Sequence, residues 1–158
     1  PGWTAYRKRI LVRSYDVTTH LLACENVLGI TLGDGWYCGY LAGHDRQFYG
    51  DRPSVIACLR VIGSDGKEAE VVTDSSWLTG SGGICKGDFF MGEIHDARSE
   101  NLGWSSPGVV LEDWLPAMVI DAPEARLLLA EAPPVKRMEV LPGKPLPLPA
   151  EMASVGTV

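Results

Sequence analysis

Hydrophobic and polar residues alternate over short stretches of this chain, and no stretch of confident length carries a helix period. The pattern from Tyr6 to Val17, with Ile10, Leu11, Val12 and Tyr15 among charges, predicts a strand. Asp16 to His20 offers a cap and one short helical turn. After a turn at Glu25-Asn26, Leu28, Ile30 and Leu32 fall at period two and predict a strand over Val27 to Leu32. Gly33-Asp34-Gly35 breaks it, and a glycine-rich stretch runs from Trp36 to Gly50. Val55 to Ile62 is apolar on both faces and predicts a central sandwich strand. The turn cluster Gly63-Ser64-Asp65-Gly66 then returns the chain as Lys67 to Thr73, the clearest hairpin in the sequence. Further on, Phe89 to Arg98 reads as an irregular strand and Val109 to Trp114 as a helical turn. Met118 to Ile120 and Arg126 to Ala130 read as short strands. Many short strands separated by turn signals predict an all-β sandwich or barrel.

From Pro133 the character changes. Pro133, Pro134, Pro142, Pro145, Pro147 and Pro149 follow closely, and proline cannot donate to a ladder. This divides the chain into a β-sandwich domain, residues 1–132, and an extended exit linker toward a following domain, residues 133–158. The 158 residues suffice for one ordinary domain and its core. Eighteen glycines and eleven prolines exceed average usage and fit a chain of turns. The net charge of −6 argues against nucleic acid, which is held by clustered cations. The basic run Arg7-Lys8-Arg9, with Arg13, reads as an exposed strand face. The apolar runs are far too short to span a bilayer, so no membrane partner is expected. Cys24, Cys38, Cys58 and Cys85 show no Cys-x-x-Cys spacing and read as small buried apolar residues, with one disulfide left open. Reduced cysteines and the absence of a leader pattern point to the cytoplasm.

Three constellations bear on chemistry. In Gly92-Glu93-Ile94-His95-Asp96-Ala97-Arg98, an extended strand puts Glu93 and His95 on one face and Asp96 and Arg98 on the other. Carboxylates beside an arginine suit a polyol or a cation, or else a plain Asp96–Arg98 pair that pins a loop. Glycoside hydrolysis needs two carboxyls about 5–5.5 or 6.5–9.5 Å apart across one bond, which opposite strand faces do not supply, so no catalytic residue is assigned. Five tryptophans form the second constellation. Trp36 and Trp77 lie near strand ends and read as packed, whereas Trp104, in a polar loop, is the one expected to be exposed as a sugar platform. The third is a scatter of aspartates in glycine-rich turns (Asp34, Asp45, Asp51, Asp65, Asp74, Asp88 and Asp96), which read as turn residues, with calcium ligation as the competing use. No phosphate-binding glycine loop and no Gly-x-Ser-x-Gly elbow is present.

Several phrases in order give the chain a specific resemblance: Pro1-Gly-Trp-Thr-Ala-Tyr-Arg-Lys-Arg9, Tyr15-Asp-Val-Thr18, Leu32-Gly-Asp-Gly-Trp-Tyr37, Thr73-Asp-Ser-Ser-Trp77 and Gly92 to Arg98, continued by Trp104, Trp114 and Pro116-Ala117, with Pro133-Pro134-Val135 like an exit strand. The chain resembles the N-terminal β-sandwich region of bacterial α-L-rhamnosidases, glycoside hydrolase family seventy-eight. The resemblance implies a jelly-roll sandwich of the galactose-binding type. It also implies a parent enzyme that removes terminal L-rhamnose from glycosides by inversion, in a separate (α/α)-barrel catalytic domain. The acidic motif of that barrel is absent here, so this portion is expected to be inactive alone. In some relatives the sandwich binds L-rhamnose through Ca²⁺. Carried over, Glu93, Asp96, Arg98 and Trp104 become the carbohydrate-binding residues, and Asp96 with the backbone carbonyl of Ala97 the metal ligands. Ala97 has no ligating side chain, and His95 replaces the usual tyrosine before the aspartate. The lost ligand at Ala97 motivates the alternative to a carbohydrate-binding domain, a purely structural domain that buttresses the barrel. Family members also carry about two strands before the Pro-Gly-Trp phrase. Without them the sandwich lacks its first strands and would expose edges, to be filled by another chain in a strand-sharing oligomer or by a nearby segment.

Overall fold

The computed structural model describes residues 2–144; residues 145–158 of the expected linker lie outside them. Strands dominate, in the order β1 (Arg9–Val12), β2 (Cys58–Ile62), β3 (Glu68–Val72), β4 (Leu78–Thr79), β5 (Ile84–Asp88), β6 (Gly92–His95), β7 (Leu115–Pro116) and β8 (Arg126–Leu129). Helix is confined to α1 (Gly35–Cys38) and two 3₁₀ turns, Thr18–His20 and Ala97–Ser99. The strands form four separate two-stranded ladders: β1 with β8, β2 with β3, β4 with β7 and β5 with β6.

The β2–β3 hairpin forms where the pattern predicts it. Gly66 takes φ +78, which a side chain would resist, and the Asp65 carboxylate accepts the Lys67 N–H at 3.1 Å. The loop closes with the Gly63 N–H donating to the Lys67 carbonyl at 2.8 Å. Its expected start at Val55 and central position are both corrected. The strand begins at Cys58, pairs on one edge only, and alternates exposed and half-buried positions.

The β5–β6 hairpin departs from expectation for a local reason. Asp88 accepts the N–H groups of Phe90 and Met91 at 2.7 and 3.0 Å, which bends Phe89 to Met91 into the turn. Gly92 follows at φ +75, so the strand starts there rather than at Phe89. A bulge between Ile84 and Lys86 re-aims the partner strand.

Only a parallel pairing holds β1, which lies beside β8 with Arg9 opposite Arg126. Arg7, Lys8 and Arg9 are exposed, as their pattern suggests, and Arg7 and Arg13 also reach far along the chain. Arg7 donates to the Phe48 carbonyl at 3.0 Å, Arg9 to Thr4 Oγ1 at 2.7 Å and Arg13 to the Ala132 carbonyl at 2.8 Å. The expected strand is shorter than its pattern, because the Lys8 and Arg9 N–H groups bond back to Ala5 and hold 6–8 in a turn. Val27 to Leu32 and Met118 to Ile120 have strand patterns but join no ladder, and Val109 to Trp114 forms turns rather than a helix. Pattern alone makes no strand without a partner to receive its hydrogen bonds.

Few side chains are sealed from solvent. Cys38 and Leu41 are the buried hydrophobic residues among those described, and Thr4 the buried polar one. They sit where the start of the chain, α1 and the β5–β6 turn converge. Burial raises the Cys38 thiol pKa, helped by Asp34 and Asp51 and opposed by Arg46. The other three cysteines are exposed, which corrects the expectation of four buried thiols, and all four are free. Apolar residues elsewhere stand open: Ile62 is 63% exposed, Ile94 56% and Leu129 69%.

Gly39 sits where α1 ends. A Cβ there would lie 2.4 Å from both the Asp88 carboxylate and the Gly35 carbonyl, and the backbone oxygen cannot move aside. Gly39→Ala is expected to cost about 1–3 kcal/mol of unfolding free energy, as overpacking does, measured by denaturant melts of the protein with and without the change.

Candidate functional site

Where β6 ends, His95 is its last paired residue. Asp96 then leaves the strand at φ −115, ψ 102 and caps the 3₁₀ turn Ala97–Ser99. Its own N–H donates to the Gly83 carbonyl at 2.7 Å, which fastens the turn to the start of β5. Oδ1 accepts the Arg98 backbone N–H at 3.0 Å and Nε at 2.9 Å, and Oδ2 accepts a terminal guanidinium nitrogen at 2.7 Å. This is a bidentate fork, the strong form of an arginine–carboxylate contact. Asp96 and Arg98 therefore meet through a turn two residues long, not through strand alternation. The fork holds the Asp96 carboxyl below its ordinary pKa, with the Arg98 side chain the larger cause and the Arg98 N–H next; in return it raises that of Arg98.

His95 leaves the motif in another direction, with Nε2 2.9 Å from the Glu100 carboxylate, both packed close to Gly83. Glu93 lies opposite Gly87 in the hairpin, exposed, and has no ion-pair partner among the described residues. Trp104 is not the open platform that its loop suggested. Its ring stacks on Trp114 at 5.6 Å and 25°, and it leans on Gly29 so closely that a Cβ there would fall 2.6 Å from the ring. Trp3, 50% exposed, is the open tryptophan. Of the four expected carbohydrate contacts, Asp96 and Arg98 are joined, Glu93 stands three residues before Asp96 on β6, and Trp104 belongs to another packing group.

A calcium ion does not fit this arrangement. Both oxygens of Asp96 are taken by Arg98, and the Ala97 carbonyl accepts the Glu100 N–H at 3.3 Å. No cluster of three or more His, Cys, Asp or Glu residues able to hold a metal occurs among the described residues. Several of the turn aspartates act locally. Asp16, Asp65, Asp74 and Asp96 each accept the N–H two residues on, as Asx turns do.

A hollow of about 210 Å³ that was not foreseen opens between Asp34, Tyr40 and Arg46, which flank α1, and the β5–β6 hairpin. There the Asp34 carboxylate meets Arg46 at 2.7 Å, and Asp88 accepts the Tyr40 N–H at 2.7 Å. Burial works against the Asp88 charge, yet the N–H groups of Tyr40, Phe90 and Met91 and the nearby Arg46 leave its pKa below the ordinary value. Beside it runs an aromatic stack in which Trp36 lies between Trp3 and Phe89, at 5.7 and 4.6 Å. The signal was present in Gly33-Asp34-Gly35-Trp36-Tyr37 and Phe89-Phe90, but the pairing between them is long-range.

Comparison with known proteins places these features. The family described as "Alpha-L-rhamnosidase N-terminal domain" matches residues 1–139. An alpha-L-rhamnosidase of Streptomyces avermitilis is 35% identical over 145 residues, 91% of this chain and 14% of that protein. Among solved structures, the native enzyme of Aspergillus terreus superposes with a TM-score of 0.77 at 35% identity, over 88% of this chain and 16% of that one. The Streptomyces avermitilis alpha-L-rhamnosidase complexed with L-rhamnose gives 0.66 at 33%, over 80% and 12%. The chain thus spans about one seventh of the first relative's length.

The Asp96 fork has a pH signature. Because the folded carboxyl lies below its ordinary 3.8, the stability it supplies is complete above that value and is lost as the pH falls through the lower folded pKa. Carboxyl carbon shifts followed by NMR should give Asp96 a midpoint below 3.8, with the Arg98 amide shift moving in step. A midpoint at or above 3.8 would mean the fork is open.

Proposed function

The chain belongs to the alpha-L-rhamnosidase N-terminal domain family, and on that premise we propose that it is a non-catalytic accessory domain that buttresses the rest of a larger enzyme. That enzyme, in this reading, hydrolyses terminal L-rhamnose from glycosides in a separate catalytic domain. The four ladders belong to a jelly-roll sandwich completed by other parts of the parent, and the stretch from Pro133 leads toward the next domain. The observation that carries the reading is the apolar surface left open on these ladders. Two-stranded sheets are marginal alone, and Ile62, Ile94, Leu115 and Leu129 are all more than half exposed. Side chains of this kind need a cover, at roughly 25 cal/mol for each Å² of apolar surface withdrawn from water. A buttress supplies such a contact, and the length of the relatives leaves ample chain to receive it.

A second reading keeps L-rhamnose at Glu93, Asp96 and Arg98. It is favoured by one feature: the Arg98 side chain is 85% exposed, so its guanidinium can donate to sugar hydroxyls without breaking its pairing.

The full-length enzyme separates the two. Under the buttress reading, deleting residues 1–132 lowers Tm by several degrees or more, since each kcal/mol lost shifts a domain by about 2–8 °C. Asp96→Ala then leaves kcat/KM on an aryl rhamnoside, and the calorimetric response to L-rhamnose, within about twofold. A tenfold loss of rhamnose affinity in Asp96→Ala, equal to about 1.4 kcal/mol, would establish the sugar-contact reading instead.

A further inference from the structure

Trp36 lies between Trp3 and Phe89 with the rings tilted by only 19° and 20°, and Phe90 meets it edge-on at 5.8 Å. Both faces of Trp36 are taken, and the column ends in two open rings, Trp3 at 50% and Phe89 at 65% exposure. The open end of an offset stack presents a flat face to one more ring. Phe89 reaches the hollow of about 210 Å³, because Met91, two residues on, lines it together with Gly87, Gly92 and Ile94. That rim is fixed. Asp88 accepts the N–H groups of Phe90 and Met91 and, from α1's side of the hollow, that of Tyr40.

The lining discriminates among ligands. A sugar ring needs hydrogen-bond partners around its edge, yet the carboxylates here are engaged. Asp34 holds Arg46, and Asp88 holds three backbone N–H groups. What stays open suits the face of an aromatic ring. Methionine sulfur packs well against aromatic rings, and Met91 is 70% exposed. Cations sit well over such rings, and the Arg46 guanidinium is already 6.0 Å from the centre of the Tyr40 ring. Lys86 also lines the hollow, is exposed, and stands in no ion pair among the described residues. Pockets for drug-sized ligands hold roughly 300–1,000 Å³, so this smaller hollow takes a single ring rather than a whole glycoside.

We propose that the hollow and the open face of Phe89 bind the phenolic ring of an aryl glycoside. Phe89 continues its stack onto that ring, Met91 packs against it, and Lys86 donates to a ring hydroxyl. The inference rests on the reading that the parent acts on glycosides, and it concerns the aglycone rather than the rhamnose.

Calorimetric titration of the full-length enzyme tests the proposal. One ligand is 4-hydroxyphenyl β-D-glucoside, which carries the ring but no rhamnose; the other is methyl β-D-glucoside, which carries neither. The aryl glucoside should bind saturably in the millimolar range, and the methyl glucoside about tenfold more weakly or not at all, the size of one aromatic contact. Phe89→Ala should cost the aryl glucoside about tenfold in affinity on the same ground. Met91→Ala, at an exposed position, should cost about threefold and serves where Phe89→Ala fails to fold. Equal binding of the two glucosides would overturn the proposal, since the sugar would then be what is read. Aryl binding unchanged in the variants, or no saturable aryl binding, would overturn it as well. Cleavage of an aryl rhamnoside by the same preparation checks the underlying reading separately. If deletion of residues 1–132 leaves Tm unchanged while Phe89→Ala loses the aryl glucoside, the buttress fails and the ring site stands.

Discussion

A β-strand offers two edges and two faces, and in this chain each strand fills one edge with a single partner. Backbone N–H and C=O groups must be paired or solvated, and a face of valines and leucines must be covered or remain a liability. That constraint organises much else in the structure. It leaves Val27 to Leu32 without a ladder despite its pattern and Ile62 and Leu129 in the open, and among the described residues the sealed hydrophobic ones are Cys38 and Leu41. The chain carries many of its own turns and hairpins yet little of its own core.

What could be read in the sequence was what is decided locally. The β2–β3 hairpin was legible because its turn residues, Gly63 to Gly66, lie beside the strands they join. The Asp96–Arg98 pair was legible as a loop pin because both groups lie within one turn, although strand alternation was the wrong reason for it. Parallel pairing of β1 with β8 could not be read, since nothing in Arg9 to Val12 names a partner at Arg126 to Leu129. Trp104 misled for the same reason. Its neighbours in sequence are polar, but its neighbours in space are Trp114 and Gly29. With Ala97 offering only a carbonyl, and that carbonyl engaged by Glu100, Asp96 has its arginine for company and no second acid to share a cation.

Carboxylates work here chiefly as backbone organisers. Asp16, Asp65, Asp74 and Asp96 have their pKa lowered first by the side chains of Thr18, Lys67, Ser76 and Arg98 and next by the N–H groups of the same residues, while Asp88, against its burial, is lowered by the N–H groups of Tyr40, Phe90 and Met91. At neutral pH these turns rest on charge rather than on buried side chains. An acidic chain with few sealed residues can in this way keep defined loops. The same groups explain why so many aspartates in glycine-rich turns need not imply a metal.

The pairing of β1 with β8 also sets how the chain bears load. The two strands come from opposite ends of the described residues and run in the same direction, in register from Arg9–Arg126 to Val12–Leu129. A pull that enters ahead of β1 and leaves after β8 acts along both strands from opposite ends. It shears the ladder, so its bonds share the force and must yield together. An antiparallel arrangement of the same strands would open one bond at a time. Forced opening is governed by the unfolding barrier rather than by equilibrium stability. A fold with few sealed side chains can thus still carry tension from β1 to β8.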